Sequence, residues 1–597
     1  MVNVLDKSVE TDSGSRMVRI FHGTSKAGIC VLTVSAYLAV FGTGGLARHF
    51  FVTQDWPVAV LIGVFLLIAG KGVLPAVRPF ATRLDLKRVA LLCCGLTLAL
   101  WAGTHLLMHD YPLTRDEHMV VFDMAVFGRG HLAAPLPLVW RPFAEALTPA
   151  FLLDLPGQPA WVSAYMPGNA ALRLIVSRFI DPALMNPALA AAGAVALFTI
   201  ARRLFPNDRS AQYASLLLYL TSAQMIVAAM TTYAMTAHLF FNLIWLALFL
   251  RGGRTGHGGA ILVGFVATGL HQVVFHPLFV LPFLDHLRRH RKWRALTAYL
   301  TCYGGIALFW FSYPSLVAYS AGVVTDAPIG SGVVAFISDR ILPLLLTGGR
   351  ETLPLTGYNL VRFLAWQNLA LVPLVLVGVR SAWRDHGIAR PLYLGIVLTI
   401  IAMVILLPYQ GHGWGYRYLH GLIGSFALLG AYGWHASAPD RETAKRLLVA
   451  GTAGTLGLSL PYLLWRTEDF VRPYAAVDAA IAAVDADFVV IETNEPTFAI
   501  DQVRNDPYLV GRPIRLSSRS LDDMQVLALC RKGSIRFFDR REMQVHGLGI
   551  GQGPVSPDFV RLRGVIGAHR CDRNGADASP LLNHEAPIPK RGGHAVD

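Results

Sequence analysis

The stretch Tyr111-Pro-Leu-Thr-Arg-Asp-Glu-His118 follows a long apolar run and places two adjacent carboxylates, Asp116 and Glu117, just beyond its end. Carboxylates at a membrane boundary are costly unless the protein uses them, so they are candidates for function. A structural interpretation is also open, because Thr114-Arg-Asp-Glu117 fits a helix capping box and first-turn carboxylates complement the helix dipole. The position of this pair within the rest of the chain favours the functional interpretation.

Composition places the chain in a membrane. Its 597 residues are 54% hydrophobic and only 15% charged, whereas a soluble protein carries about 25% charged residues. Apolar runs of about 20 residues recur along the chain, which predicts an all-α polytopic membrane protein. The net charge of +14 comes from short clusters of Lys and Arg between these runs. This is the positive-inside pattern, and no basic stripe with interleaved aromatics indicates a nucleic acid partner.

The apolar runs predict about thirteen transmembrane helices, the first three of them before the acidic pair. The run at 258–284 is too long for one span, and Pro277 cannot continue a helix from upstream. We therefore predict two short helices that meet near His271-Gln-Val-Val-Phe-His276. All cationic clusters fall on one face if the N-terminus is cytoplasmic. The acidic pair, the His271 apex, the 409–416 loop and everything after Trp465 then lie on the other face.

Changes of composition divide the chain into parts. We predict a cytoplasmic N-terminus at 1–26, a transmembrane domain at 27–465 with a large outward loop at 109–185, a small α/β domain at 466–573, and a disordered tail at 574–597. In the outward loop, Gly128 and Gly130 should end the helix that the acidic pair opens, and 141–155 should form an interfacial helix. In the α/β domain we predict strands at 487–492 and 534–538 and a helix at 521–529.

Two further outward elements carry candidate site residues. In Tyr409-Gln-Gly-His-Gly-Trp-Gly-Tyr-Arg-Tyr-Leu-His420, glycines alternate with bulky groups, which lets the backbone approach a ligand closely. Arg417 could bind a phosphate in a bidentate manner. The alternative is that the aromatics form an interfacial belt and Arg417 extends to the membrane surface. The other element is His271, for which a packing role is the alternative.

The order of these features resembles the GT-C membrane glycosyltransferases, specifically the branch of dolichyl-phosphate-mannose–protein mannosyltransferases and the bacterial lipid A aminoarabinose transferase. The resemblance covers about residues 88–465, and the residues that carry it are Asp116-Glu117, Tyr165-Met-Pro-Gly-Asn169, the short helices around His271, and Arg417-Tyr418-Leu419. Relatives often have an acidic residue in the second outward loop, where Met230-Thr-Thr-Tyr-Ala-Met-Thr236 has none. They also often have a lysine near His271. A divalent cation is therefore left open as a cofactor, and no metal ligand is assigned.

The resemblance implies an enzyme that transfers a hexosyl or pentosyl group from a polyprenyl-phosphate donor to a lipid, glycan or protein acceptor. It implies a bacterial inner membrane, with the active site and the C-terminal domain facing the periplasm. Asp116 would be the catalytic base, and Glu117 would orient it or cap the helix. Arg417 would stabilise the donor phosphate. The other candidates for substrate binding are Tyr165, Asn169, His271, His412, Tyr416 and Tyr418.

Other functions stay open. A lipid-linked glycan polymerase or ligase would also use outward arginines, but it would not especially need Asp116. A lipid or glycan transporter usually shows inverted repeats, and we find no internal repeat. A structural membrane protein is a further alternative. If the C-terminal domain is outside the cytoplasm, Cys530 and Cys571 should form a disulfide, because they are the only cysteines beyond the predicted spans.

Overall fold

The computed structural model describes residues 23–42, 45–74, 85–147, 151–323, 342, 352–384, 387–494, 499–548 and 554–569. The chain divides into two compact units. The first comprises Met1–Leu136 and Ala150–Ala475, and the second comprises Pro137–Pro149 and Ala476–Asp597. Composition instead places the boundary at residue 466. The last long helix runs through both positions without a break, so the chain offers no loop there that would mark the division.

In chain order, the helices of the described ranges begin with α1 (Gly23–Phe41), α2 (Leu46–Gly70), α3 (Leu86–Leu106), α4 (Arg115–Gly128), α5 (Ala144–Leu147), α6 (Gly168–Ser177), α7 (Met185–Leu204), α8 (Arg209–Leu220), α9 (Ala223–Ala229), α10 (Met235–Arg251), α11 (Gly253–Thr268), α12 (Phe275–Arg289) and α13 (Trp293–Ser320). They continue with α14 (Thr352–Ala365), α15 (Leu371–Arg384), α16 (Ala389–Leu406), α17 (Ile423–Ala436), α18 (Ala438–Ala482), α19 (Asp523–Cys530), α20 (Arg540–Val545) and α21 (Pro557–Ala568). A 3₁₀ segment, Arg417–Leu422, leads into α17.

The protein is a multi-pass membrane protein. Within the described ranges, seven helices are long and apolar enough to cross a membrane, namely α1, α2, α3, Pro182–Leu204 with α7, α13, α16 and α18. The predicted pair of short helices is confirmed as α11 and α12, which meet around His271. The other predicted spans correspond to shorter helices, and the count of about thirteen stays a prediction. The apolar runs at 210–229 and 357–379, each predicted as one span, are interrupted, because Ser222 caps α9 and Asn368 accepts a backbone hydrogen bond before α15.

Helix α4 carries the acidic pair, and its ends follow the sequence. Thr114 and Glu117 form a complete capping box at its start. The helix ends at Gly128, and Gly130 adopts a φ of 79° that favours glycine. The predicted helix at 141–155 is wrong from Phe151 onward, and 148–150 lie outside the described residues. From Phe151 the chain is extended and pairs with 162–164 through bonds from Leu153 to Val162 and from Ala164 to Phe151, which satisfy its backbone groups without a helix. Upstream, β1 (Ala134–Pro135) pairs with β2 (Ala160–Trp161).

The second unit contains a three-stranded parallel sheet of β3 (Phe488–Ile491), β4 (Ile514–Ser517) and β5 (Ile535–Phe538), in the order β4-β3-β5. The structure confirms the strands predicted at β3 and β5 and the helix at α19. Sequence analysis missed β4, because its four residues include Arg515. That side chain is buried and forms an ion pair with Asp478, so its charge does not expose the strand.

The cysteines are only partly described. Cys530 is disulfide-bonded, whereas Cys30, Cys93, Cys94 and Cys302 are free thiols. Cys571, the predicted partner of Cys530, lies outside the described residues, so this pairing stays a prediction. The predicted tail at 574–597 and the predicted N-terminal segment up to residue 22 lie outside them as well.

Candidate functional site

The centre of the candidate site is the carboxylate of Asp116, in the first turn of α4. Its two oxygens have different partners. Arg417 Nη1 donates to Oδ2, and the Tyr165 hydroxyl donates to Oδ1. The side chains of Arg417 and Asp116 are only 9% and 13% exposed. Thus three residues that the sequence marked separately meet at one nearly buried carboxylate.

Arg417 is held by the glycine-rich loop that precedes it. Its backbone N–H donates to Gln410 Oε1 at 3.0 Å, and its Nη2 donates to the Gln410 carbonyl. A Cβ on Gly413 would collide with the aliphatic part of the Arg417 side chain. Gly411 and Gly415 have φ values of 67° and 68°, which favour glycine. The glycines thus allow a close approach of the Arg417 side chain, and the predicted approach of a ligand stays a prediction.

Tyr165 lies in a segment that is hydrogen-bonded to the turn around His271, between α11 and α12. Its ring stacks on the His271 imidazole, with ring centroids 4.2 Å apart and planes inclined by 25°. The backbone of the segment is bonded to the apex, from Met166 N–H to the His271 carbonyl at 3.1 Å and from Gly168 N–H to the Gly269 carbonyl at 2.8 Å. Asn169 Nδ2 donates to the Thr232 carbonyl at 3.0 Å. These bonds fix the position of the Tyr165 hydroxyl relative to Asp116.

His271 is buried, and neither of its ring nitrogens has a hydrogen-bond partner within the described part of the chain. The pKa of His271 is lowered to about 4, because burial and, to a lesser extent, the Arg417 charge lower it more than the Asp116 charge raises it. The imidazole is therefore neutral near pH 7 and offers one donor and one acceptor. With both ring nitrogens unsatisfied in the described ranges, His271 keeps hydrogen-bonding capacity for another molecule, as do Arg417 Nε and Asn169 Oδ1.

The Glu117 side chain bonds to backbone groups of Thr114 and Thr232. Its side chain is 2% exposed and accepts from the Thr114 backbone N–H at 3.3 Å and from the Thr232 backbone N–H at 3.2 Å. It thus caps α4 and ties the loop at 231–233 to the start of that helix. These contacts agree with the capping alternative and give Glu117 a structural role beside the candidate base.

The loop at 230–236, which lacks the acidic residue that relatives often have, contributes Tyr233 to the site. The Arg417 guanidinium lies over the Tyr233 ring, 5.1 Å from its centroid, and the Tyr233 hydroxyl lies 2.8 Å from that of Thr114. Asn186 Nδ2 holds this loop by donating to the carbonyls of Thr231 and Tyr233, at 2.7 and 2.9 Å.

Within the residues that the structure describes, no group of three or more His, Cys, Asp or Glu side chains could hold a metal ion.

The remaining predicted residues shape the surroundings of Arg417. Tyr418 stacks on Phe275, with centroids 5.6 Å apart. The Tyr416 carbonyl accepts from Gln224 Nε2 at 2.8 Å. His412 stacks flat on Phe470, with centroids 4.6 Å apart and planes at 8°, so its ring packs among aromatics and is not turned to Asp116.

Sequence analysis missed several supporting residues. Gln410 lies inside the quoted loop and Tyr233 inside the loop noted for its missing acid, but neither type of residue suggests a partner for arginine. Next to Arg417 there is also a cavity of about 20 Å³ lined in part by His238, Asn242 and Thr399. A space of about 10–15 Å³ holds one water, and neither ring nitrogen of His238 has a hydrogen-bond partner in the described ranges. These polar residues sit within apolar helices and carry no motif.

The electrostatics of the site keep Asp116 ionised. Burial raises the pKa of its carboxyl, but Arg417, His271 and the Tyr165 hydroxyl together hold that pKa below its ordinary value. Burial and the Asp116 charge raise the pKa of Tyr165, so the phenol stays a hydrogen-bond donor. The arrangement therefore joins a carboxylate able to accept a proton with a cation able to stabilise an anion.

The solved structures similar to this chain include two crystal structures of ArnT from Cupriavidus metallidurans. The apo-state structure is 13% identical in sequence, with a TM-score of 0.44 over 71% of this chain and 85% of that chain. The structure bound to undecaprenyl phosphate is also 13% identical, with a TM-score of 0.47 over 79% of this chain and 96% of that chain. No protein-family model matches the chain, and no curated protein matches it. Because both TM-scores are below 0.5, the function is inferred from the contacts of the site itself.

Proposed function

We propose that the protein is a glycosyltransferase that moves a hexosyl or pentosyl group from a polyprenyl-phosphate donor to a hydroxyl of a lipid, glycan or protein. The reaction takes place at the membrane face where Asp116 lies, which we assign to the periplasmic side of a bacterial inner membrane. One observation carries the proposal: a nearly buried, ionised Asp116 is held directly against Arg417. Burying such a pair is costly, and glycosyl transfer from a lipid phosphate needs both charges.

The reaction exchanges one bond at the anomeric carbon and moves one proton. An acceptor hydroxyl oxygen attacks the anomeric carbon, and its proton passes to the Asp116 carboxylate. The bond between the anomeric carbon and the phosphate oxygen breaks, and the electron pair leaves with the polyprenyl phosphate. Arg417 stabilises the charge that develops on this leaving phosphate. The proton and the charge thus each have a named residue, and no cofactor is needed for the balance.

In the resting protein the two residues engage each other. Arg417 bonded to Asp116 lowers the pKa of the carboxyl and so weakens it as a base. A donor phosphate that takes over the guanidinium would share its charge, and the pKa of Asp116 would rise toward the range of an effective base. The proposal therefore has the donor bind first and prepare Asp116 to accept the proton.

The neighbouring residues would orient the substrates. His271, neutral and without a partner in the described residues, is placed to hydrogen-bond the sugar or the acceptor hydroxyl. Tyr165 fixes the orientation of the Asp116 carboxylate, because its hydroxyl donates a hydrogen bond to one of the carboxylate oxygens. Tyr418 stands beside Arg417 in the chain and would flank the donor. Asn169, His412 and Tyr416 support these residues through the loops that they hold.

The test compares cells that lack the gene with cells that carry it, using mass spectrometry of cell-surface lipids and glycans. We expect one sugar to disappear, to return with the wild-type gene, and to stay absent with the Asp116→Asn variant produced at a normal level. If Asp116→Asn restores the sugar fully, the polymerase or ligase alternative is preferred. If no lipid or glycan changes, the proposal of sugar transfer is wrong.

A further inference from the structure

Three arginines surround a groove at the end of the bundle opposite to Asp116. Arg88 lies in the first turn of α3, Arg202 in the last turn of α7, and Arg209 opens α8. The groove has a volume of about 390 Å³, and its lining also includes Asp85, Phe198 and Tyr213. Ligand pockets in proteins are commonly about 300–1,000 Å³, so the space suits a small molecule or a headgroup.

The length of α3 places this groove on the other membrane face. The helix has 21 residues, and at about 1.5 Å per residue it spans roughly the 30 Å of a bilayer core. The groove is at its start, whereas the segment leading to Asp116 follows its end. Near that end, Trp101 Nε1 donates to Asp181 Oδ2 at 2.7 Å, just before α7. Helices α3 and α7 therefore run antiparallel, and both place their arginines on the face away from the candidate site.

The groove is positively charged. Its lining has three arginines and one carboxylate, which gives 3 − 1 = +2. Asp85 uses one oxygen to cap α3, through the Arg88 backbone N–H at 2.8 Å. Arg202 and Arg209 form no side-chain hydrogen bond or ion pair with the described part of the chain. The nearest other acid along the chain, Asp208, accepts from His435 and Arg441 instead.

Apolar surface continues from the groove along the membrane. Its lining includes Phe198, which is 1% exposed, and Tyr213, whose ring stacks on that of Phe198 at 6.4 Å between centroids. Leu86 of α3, which also lines the groove, is 41% exposed, and Leu91 (74%) and Leu98 (61%) are exposed further along the same helix. Leu91 and Leu98 are seven residues apart and share one face of the helix. A charged groove above a lipid-exposed apolar stripe matches a molecule with an anionic head and an acyl chain.

We propose that this groove binds an anionic phospholipid, with its phosphate on Arg202 and Arg209 and an acyl chain along the exposed face of α3. Basic pockets between helices at the cytoplasmic side of a membrane bind anionic headgroups in this way. The apolar stripe favours a lipid over a free phosphate, which would use the arginines alone. The site is separate from Asp116, and it stands whether or not the protein transfers a sugar.

The test is native mass spectrometry of the full-length protein in detergent, titrated with phosphatidylglycerol, cardiolipin or phosphatidylcholine. The variant is Arg202→Gln with Arg209→Gln. The matched control is Arg254→Gln with Arg294→Gln, which removes the same charge from exposed arginines in the first turns of α11 and α13. We expect the anionic lipids to bind the wild type and the control alike. The groove variant should bind about 25-fold more weakly, since each arginine near an anionic lipid contributes roughly a factor of five.

Three results would overturn the proposal. The first is equal loss of binding in both double variants, which would indicate a general surface charge effect. The second is phosphatidylcholine binding as well as the anionic lipids. The third is displacement of bound lipid by millimolar inorganic phosphate, which would assign the arginines to a free anion. Thermal unfolding without lipid checks that the groove variant is folded. If it is not, the single variants Arg202→Gln and Arg209→Gln are each expected to bind about fivefold more weakly, and unchanged binding in both would contradict the site.

Discussion

Arg417 Nη1 donates to Asp116 Oδ2 across a sequence separation of 301 residues. The contact joins the start of α4 to the glycine-rich loop before α17, and the Tyr233 ring lies against the same guanidinium. A bonded pair of opposite charges in a nearly buried position must exchange partners before either group can act on a substrate. Both that exchange and the residues that hold the pair can be tested by substitution.

Arg417→Lys should weaken use of the donor. The guanidinium reaches Asp116 and the Gln410 carbonyl at once through Nη1 and Nη2, and a lysine ammonium keeps the charge but loses this planar fork. We expect the KM for the donor to rise about tenfold or more, since a charge-assisted hydrogen bond is worth roughly 1.5–3 kcal/mol. Arg129→Lys, at the exposed end of α4, is the control. An unchanged donor KM would assign Arg417 to a structural role.

Tyr165→Phe should move the acid side of the pH–rate profile to higher pH. The Tyr165 hydroxyl bond lowers the pKa of Asp116, so removing it raises the pH below which the base is protonated and inactive. The phenylalanine ring keeps the stack on His271, which limits the change to the hydroxyl. We expect a shift of up to about one pH unit in kcat. A profile that falls in rate at every pH without moving would mean that the hydroxyl does not act on Asp116.

Glu117→Ala should reduce stability and leave the chemistry of the folded protein near normal. The change removes half of the capping box and leaves the partly buried Thr232 N–H without its acceptor. We expect a loss of roughly 1–3 kcal/mol, seen as a lower unfolding temperature in detergent. The rate per folded molecule should change less than tenfold. Normal stability with a rate as low as that of Asp116→Asn would instead make Glu117 part of the catalytic machinery.

Sequence analysis predicted much of the fold, because helix length and apolar runs are local properties. The two short helices at His271 followed from one over-long run and Pro277. The pair Asp116 and Arg417 was predicted only as two candidates, since nothing in the sequence shows that they touch. The partners Gln410 and Tyr233 could not be predicted, because a polar residue in a loop has no periodicity. Similarly, β4 was missed because its Arg515 is neutralised by a distant acid, Asp478.

Asp123 should make stability depend on pH. It lies seven residues after Asp116 on α4, and burial raises its pKa to about 7 despite a hydrogen bond from Ser163. Its folded pKa is above the unfolded value, so between about pH 4 and 7 the native state binds more protons than the unfolded state. Stability from this group is full at the low end and is lost as pH rises through 7, by up to about 1.4 kcal/mol per pH unit.

The measurement for Asp123 is the unfolding temperature in detergent at pH 5 and pH 8. We expect the wild type to be less stable at pH 8, and Asp123→Asn to remove part of this difference because its amide does not titrate. Asp110→Asn, an exposed aspartate just before α4, should keep the wild-type difference. If the unfolding temperature falls by the same amount from pH 5 to pH 8 in Asp123→Asn as in the wild type, Asp123 does not titrate in this range.

The most direct test of the account is the rate of sugar transfer by purified Asp116→Asn. The donor is the polyprenyl-phosphate sugar that accumulates in cells lacking the gene, and the wild type and Asp110→Asn are measured beside it under the same conditions. Because loss of a general base costs about 10²-fold or more, we predict that Asp116→Asn retains less than a hundredth of the wild-type rate while Asp110→Asn transfers normally. A rate for Asp116→Asn above about a tenth of the wild-type rate would contradict its role as the base.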